Sequence, residues 1–367
     1  MITRRELLQC LTALMAMPAA VAAETSVSRA RKSLDILFLG GTGFLGPYQV
    51  EYALARGHRV TLFNRGKSAP GLFGDRVEIL LGNRDAKIAP GLQALHGTRR
   101  WDVVIDNSGY VPRHVRDSIE LLKGRCSRYV YVSTVAVYEP SAGPRFDERS
   151  ALRAAPDPAT EEVTGQTYGP LKAECDRIVQ AALGDRATIV RPTYLFGPGD
   201  DTDRFTYWVE RVARGGEVLG PPDPKVELQW VDVRDLCPWI VDLAEADRAG
   251  IFNAAGPSTP INWEQVLQEL ARLSSQPVQF RWATTEVLRQ TQIRLPLIRP
   301  ATLEGGAAPH FDSAAAQAAG LHYRALADTA AATLAWWRAQ SAERRAKPEG
   351  WPTPEQEQDA LRLLAGN

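Results

Sequence analysis

The chain has 367 residues, 44% of them hydrophobic and 23% charged, enough apolar material for one large globular domain or two moderate ones. Its 43 basic and 43 acidic side chains cancel, which removes the electrostatic case for a nucleic acid or an anionic membrane as partner. No internal repeat or low-complexity tract is visible.

Residues 1–23 read as an export signal rather than as part of the fold. Arg4 and Arg5 precede an apolar stretch over residues 11–17, too short to span a bilayer stably. The small residues 19–23 then offer an A-x-A cleavage site after Ala22. An arginine pair in this setting resembles a twin-arginine signal, which implies the Tat export machinery as a partner and a periplasmic or otherwise exported location. The plain alternative is a frayed helix carrying two chance arginines. Cys10 precedes the apolar run, which argues against a lipoprotein anchor, and residues 24–33 form a polar leader. Cys126, Cys175 and Cys237 are widely spaced and match no metal framework. No metal is expected, and the thiols read as buried small hydrophobes, with one disulfide left open.

The chain is organised around residues 34–65. A short apolar run, 36–39, has the character of a strand buried on both faces. Gly40, Gly43 and Gly46 follow at G-x-x-G-x-x-G spacing, with Phe44 and Leu45 inside the loop. A helix over 47–56 ends at Gly57, and a second strand spans 59–63. Strand, glycine loop, helix and strand make a dinucleotide-binding crossover, because glycines let backbone N–H groups approach a pyrophosphate at the positive end of a helix. Where an NAD site usually has an acidic residue, this chain has Asn64 and then Arg65. An arginine there can pair with a 2′-phosphate, so NADP is expected over NAD; otherwise Arg65 is a solvated turn residue.

A third strand, 77–81, ends in Gly82-Asn83-Arg84-Asp85, where Asp85 is placed to meet the adenine amine. A fourth, 101–105, is closed by a turn over 106–110 that carries Ser108 and Tyr110 to the cofactor's ribose and nicotinamide. A helix over 114–122 and a fifth strand, 129–132, follow, with Ser133 and Thr134 at its carboxyl end. That is the edge where an open α/β sheet binds its ligands. Residues 139–164 read as a loop over the site. Then come Tyr168 and Lys172, four apart and so on one side of a helix. A lysine ammonium beside a phenol lowers its pKa and suits it to exchange a proton with a substrate hydroxyl.

At this point the sequence resembles the extended short-chain dehydrogenase/reductases, the family of NAD(P)-dependent sugar epimerases and dehydratases. The resemblance is carried by six motifs in order: Gly40 to Gly46, Ser133 to Tyr138, Tyr168 with Lys172, Arg191 to Gly199, Gln229 to Leu236 and Phe252 to Gly256. It covers roughly residues 34–290 and implies Thr134, Tyr168 and Lys172 as the catalytic set, with Tyr168 and Lys172 also touching the cofactor. Asn64-Arg65 departs from the family's common acidic residue, and an export signal departs from its mostly cytoplasmic work on nucleotide sugars.

A sixth strand spans 188–190, and a helix over 201–214 carries Arg204, which with Tyr110 and Tyr194 is a candidate substrate contact. A helix over 263–273 has Asn262 placed as its cap. Trp208, Trp230, Trp239, Trp263 and Trp282 are core residues or stacking faces for a ring. Residues 311–340 look like a helix-rich cap and 341–367 a charged tail.

The expected fold is α/β, a doubly wound parallel sheet (Rossmann) with a smaller C-terminal substrate domain. Residues 34–192, rejoined by 226–256, form the dinucleotide-binding domain, and 193–225 with 257–340 the substrate domain. The expected function is that of an exported NAD(P)-dependent epimerase or oxidoreductase acting on a secondary hydroxyl of a sugar or glycoside. Two alternatives stay open: a non-catalytic dinucleotide- or RNA-binding protein of the same fold, and a sugar lyase or hydrolase that works through transient oxidation.

Overall fold

Short runs of branched and aromatic side chains build the central sheet, because strands covered by helices on both faces are sealed from water. In β1 (Asp35–Leu39), Ile36, Leu37, Phe38 and Leu39 are all buried. The computed structural model describes residues 27–157, 159–298 and 308–366, so the expected export signal lies outside the described residues. After β1 come α1 (Leu45–Arg56), β2 (Arg59–Asn64), β3 (Glu78–Leu81), β4 (Trp101–Asp106), α2 (Pro112–Leu122) and β5 (Cys126–Val132). The segment read as a loop contains a short strand, β6 (Arg145–Phe146), before α3 (Tyr168–Leu183) and β7 (Ala187–Pro192). Then follow β8 (Tyr194–Phe196), α4 (Arg204–Ala213), β9 (Gly216–Gly220), β10 (Trp230–Asp232), α5 (Val233–Glu245) and β11 (Gly250–Ala254). The chain continues through α6 (Trp263–Ala271), β12 (Val278–Trp282), α7 (Thr285–Thr291), β13 (His310–Phe311), α8 (Ala314–Ala318), α9 (Leu326–Arg338), α10 (Ala342–Arg345) and α11 (Pro354–Ala365).

Seven strands form one sheet in the order β11-β7-β5-β4-β1-β2-β3, with every neighbouring pair parallel. The order reverses between β1 and β4, and a ligand crevice opens at the carboxyl ends of such a switch point. Helices α1 and α5 seal one face around Val50, Ala53, Leu236 and Ile240. On the other face α2 and α3 supply Val115, Ile119, Cys175 and Val179. This is the expected doubly wound sheet. A separate core around Phe196, Trp208, Val218, Trp263, Leu267 and Leu334 defines the smaller C-terminal domain.

Two boundaries differ from the sequence expectation. Residues 314–321 do not continue the substrate domain: Ala316 and Leu321 sit in the sheet-side core, and Trp239 Nε1 donates to the Ala319 carbonyl at 3.0 Å. The alanine-rich α8 lies against β11 because its small side chains permit close approach. Residues 341–367 are not a loose charged tail either. Glu357 of α11 is buried, accepting from Arg211 Nε at 2.6 Å and from the Leu219 amide at 3.1 Å. A charged sequence hides this docking, since a buried carboxylate that is fully paired looks like a solvated one on paper.

Cys126, Cys175 and Cys237 are buried and unpaired. Trp208, Trp230, Trp239 and Trp263 are all core, 4% exposed or less.

Candidate functional site

Two concavities meet at the carboxyl edge of the sheet. A groove of about 560 Å³ runs over the glycine loop, and a deeper pocket of about 960 Å³ lies beside β5, β8 and α3. They share Phe44, Leu45, Asn107, Tyr110 and Leu195 as a common wall.

The groove is built from the turn after β1. Gly40 holds φ at 81°, a left-handed conformation that turns the chain sharply from strand to helix. A Cβ on Gly46 would lie 2.7 Å from the Cα of Gly41, so loop and helix can touch only through bare backbone. At Gly43 a Cβ would meet nothing within 4 Å, because the space above it is open groove. No side chain caps the N-terminus of α1, and its first turn carries no acidic residue. In that turn Pro47 has no N–H and the Gly46 N–H is taken by the Gly43 carbonyl at 3.0 Å, which leaves the Leu45 N–H for an outside acceptor. An open, uncapped, glycine-lined cradle fits a pyrophosphate, and the groove as a whole fits a dinucleotide. Asn107 Nδ2 donates to the Gly40 carbonyl at 3.2 Å and Ser108 Oγ to the Leu39 carbonyl at 2.9 Å, so the β4 turn braces the β1 turn across the crevice.

At the far end of the groove Asn64 Oδ1 accepts from the Gly66 amide at 2.8 Å, shaping the turn that presents Arg65. Arg65 is exposed, lines the groove, and has no hydrogen-bond or ion-pair partner among the described residues. Asp85 also lines the groove, but its carboxylate accepts from the Lys87 amide and from Arg113, each at 2.9 Å. Those two contacts, both on Oδ1, hold its carboxyl below the usual range and leave Oδ2 facing His114 at 3.7 Å. Asp85, His114 and Glu161 converge, yet Arg113 bonds both carboxylates, so the cluster is already charge-compensated.

Sequence reasoning missed the ion pair beneath this groove. Arg84 grips the fully buried Asp106 through both nitrogens, at 2.7 and 2.9 Å, and Tyr129 donates its hydroxyl to the same carboxylate at 2.7 Å. Burial pushes the Asp106 carboxyl up, but Arg84 and the hydrogen bonds outweigh it and hold it below its usual range. Nothing in a Gly-Asn-Arg-Asp turn announces a partner on another strand.

In the pocket, Thr134 follows β5 and caps a short helical turn, accepting from the Ala136 amide at 3.2 Å. Tyr168 opens α3, so its phenol sits beside that turn. Burial raises the phenol to about 12, and its hydrogen bond with Thr134 pulls the other way. The expected pairing with Lys172 takes another form. Lys172 Nζ donates to the carbonyls of Gly109 and Val132, both at 2.8 Å, and lies 4.2 Å from the Tyr131 ring centroid. Burial lowers the Lys172 pKa. The ammonium is thus taken up by backbone that a four-residue spacing cannot see, and Thr134 is the neighbour that lowers the phenol.

The predicted substrate contacts share the pocket wall. The Tyr110 ring lies 6.3 Å from that of Tyr168, and the Arg204 guanidinium lies 5.4 Å over the Tyr194 ring. Asp203, between pocket residues Thr202 and Arg204, is wholly buried with φ 50°. It is pinned by the docked C-terminal segment: Arg344 and the Glu349 amide donate to its carboxylate at 2.6 and 2.8 Å, and Trp351 Nε1 to its carbonyl at 2.9 Å.

Two further groups join residues whose pairing the sequence does not announce. Asp176, one turn beyond Lys172, accepts from Arg191 Nε at 2.8 Å, and Arg191 reaches the Tyr138 hydroxyl at 2.9 Å. This buried chain ties α3 to β7 and to the segment after Thr134. Tyr138, Phe146 and Phe311 stack with centroids 5.3 to 5.9 Å apart. Their strands β6 and β13 pair in parallel across more than a hundred residues of sequence.

Comparison with known proteins agrees with this fold. Residues 36–255 match the NAD dependent epimerase/dehydratase family. Over 236 residues the chain is 27% identical to the chloroplast stem-loop binding protein of 41 kDa b from Arabidopsis thaliana, covering 60% of this chain and 58% of that protein. The Bordetella bronchiseptica enzyme WbmG, solved with NAD and UDP, superposes with a TM-score of 0.61 at 16% identity, over 84% of this chain and 95% of its own. The dTDP-glucose 4,6-dehydratase of Bacillus anthracis, solved with NAD, gives 0.61 at 15% identity, over 86% and 99%. At these identities the two structures share the fold.

Proposed function

The chain belongs to the NAD dependent epimerase/dehydratase family, and we propose that it is an exported enzyme that oxidises and re-reduces a secondary hydroxyl of a sugar or glycoside with a dinucleotide it does not release. The observation that carries the chemistry is the meeting of Thr134 and Tyr168 in the pocket wall, where the glycine-loop groove opens into it. When bound, the nicotinamide dinucleotide supplies the hydride acceptor and donor. Thr134 holds the reacting oxygen, and Tyr168 takes the hydroxyl proton in oxidation and returns it in reduction. Lys172 spends two of its hydrogens on backbone carbonyls, which leaves a third for a ribose hydroxyl and fixes Gly109 against β5.

Export is supported by the arginine pair and cleavage site of residues 1–23. Outside the cytoplasm no pool of NADP(H) recycles a spent cofactor, so an enzyme that released it would stop after one turnover. Export of a folded protein lets the cofactor travel in place, and hydride can return to the same substrate or to a second one. Protein recovered from the periplasm is expected to carry dinucleotide in near one-to-one amount, measured by denaturing it and assaying the released cofactor enzymatically. Recovery of apo-protein that binds only at millimolar concentration, about −4 kcal/mol, would sink the closed cycle.

NADP is favoured over NAD because Arg65 stands open at the groove and Asn64 takes the place of the usual acidic residue. Arg65→Ala is expected to weaken NADP by about 1.5–3 kcal/mol and to leave NAD nearly unchanged, as read by calorimetric titration of both cofactors. Equal losses would reduce Arg65 to a turn residue. The likeness to a stem-loop binding protein keeps RNA binding as the second reading. Balanced charge weighs against it, and a salt titration of RNA binding decides it.

A further inference from the structure

Among the described residues that line the pocket, Arg153, Lys172 and Arg204 are cations and Asp200 alone is an acid. Asp200 is buried, accepts from the Thr202 amide at 2.9 Å and its hydroxyl at 2.6 Å, and offsets Arg204 in part. Bonds to backbone carbonyls cancel no charge, so the pocket is left positive. Arg153 is the cation fixed beside the reacting pair. Residues 151–153 run antiparallel to 137–139, with the Arg153 N–H on the Val137 carbonyl at 2.8 Å and the Glu139 N–H on the Ala151 carbonyl at 2.9 Å. The Arg153 carbonyl accepts from Arg177 of α3. Its half-buried side chain donates through Nε to the Ala136 carbonyl at 2.9 Å, just past Thr134. A Cβ on Gly169, next to Tyr168, would lie 2.5 Å from that carbonyl oxygen and 2.8 Å from Arg153 Nε, so bare backbone lets α3 come this close. The arm is thus pinned between the segments that carry Thr134 and Tyr168. Its two Nη atoms have no hydrogen-bond or ion-pair partner among the described residues. Glu139 is near enough to feel the charge, but its carboxylate is bonded to Ser141.

A guanidinium with both terminal nitrogens unused is a fork for an oxyanion. One whose backbone and arm are already fixed loses little freedom when the anion arrives. A neutral sugar would meet it with hydroxyls alone and leave its charge unmatched in a half-buried place. Thr134 and Tyr168 hold the reacting hydroxyl, so a group that reaches Arg153 belongs to the sugar itself rather than to a distant substituent. We propose that Arg153 is an anion-binding residue of this pocket and that the substrate is an acidic sugar, with a carboxylate or a phosphate ester on the sugar itself. Arg204, at the start of α4, adds positive charge to the same pocket. This substrate class rests on the function proposed above.

The test uses the purified holoprotein and reads dissociation constants from intrinsic fluorescence, with cofactor absorbance followed in parallel. Its probes are methyl glucoside and methyl galactoside, each paired with its uronide and with its 6-phosphate, and UDP-glucose. The acidic member of at least one pair is expected to bind at least about tenfold tighter than its neutral partner. Raising salt from about 0.05 to 0.5 M should shrink that ratio. The larger ratio tells carboxylate from phosphate. Arg153→Gln should bring the ratio close to one by weakening the acidic member selectively, with the dinucleotide content unchanged. Arg153→Lys, which keeps the charge without the fork, should retain part of the preference. Equal affinity within every pair, an equal loss for acidic and neutral sugars in Arg153→Gln, or a preference for UDP-glucose that this variant leaves intact would overturn the assignment. If an acidic sugar reduces the bound cofactor but its preference ignores Arg153, the proposed function stands and the anion site falls. If it binds through Arg153 and never changes the cofactor absorbance, the anion site stands and the proposed function falls.

Discussion

Tyr168→Phe is expected to lower turnover by about a hundredfold or more, the usual worth of a positioned proton-transfer group. The substitution removes one oxygen and keeps the ring that packs near Tyr110. The groove lies beyond it, so dinucleotide content should barely change. The pH dependence gives a second, independent reading. Burial lifts the phenol to about 12 against the pull of Thr134, so at neutral pH it holds its proton and is ready to donate it to a developing alkoxide. Oxidation must start from the small deprotonated fraction, which grows tenfold per pH unit below the pKa. Single-turnover oxidation by the wild type should therefore climb between about pH 7 and 9, and the Phe variant should lose that slope. A variant that keeps most of its turnover would remove Tyr168 from the mechanism.

Gly46→Ala should have the other large effect. A Cβ there would overlap the backbone of Gly41, which no side-chain rotation relieves. The loop must shift away from α1, at a stability cost of about 1–3 kcal/mol or more, and the N–H groups that face the cradle shift with it. Dinucleotide affinity should fall by about a hundredfold, near 2.7 kcal/mol, measured as Kd and as cofactor retained per chain. Gly43→Ala separates the two causes. Its Cβ meets no protein atom within 4 Å, so thermal stability should stay unchanged while the methyl intrudes where the ligand lies. If Gly43→Ala leaves affinity untouched, the loop is a structural turn and the cradle assignment fails.

Much of this was legible before the fold was known, and for a local reason. A buried strand, a glycine loop and a helix are specified by neighbours a few residues apart, so residues 34–65 announce both the crossover and the place of the groove. Thr134 and Tyr168 were proposed the same way, from the residues after a strand and the start of a helix. Lys172 shows where that logic stops. Its spacing from Tyr168 is a local fact, but the carbonyls of Gly109 and Val132 that hold its ammonium come from two other strand ends.

The sequence by itself determined the doubly wound sheet and the place of its glycine loop. Periodicity and glycine placement act over short range and leave little freedom there. Only the tertiary structure decided which charges are free. Arg65 stands open while Asp85 is paired with Arg113, and Arg84 is sunk beneath the groove on Asp106. It alone stacked Phe146 on Phe311, by pairing two short parallel strands far apart in the chain. It also turned an apparent tail into the clamp on Asp203. The reason is common to all of these: a buried charge or ring must find its partner wherever the fold delivers one, and that partner's distance along the chain carries no signal.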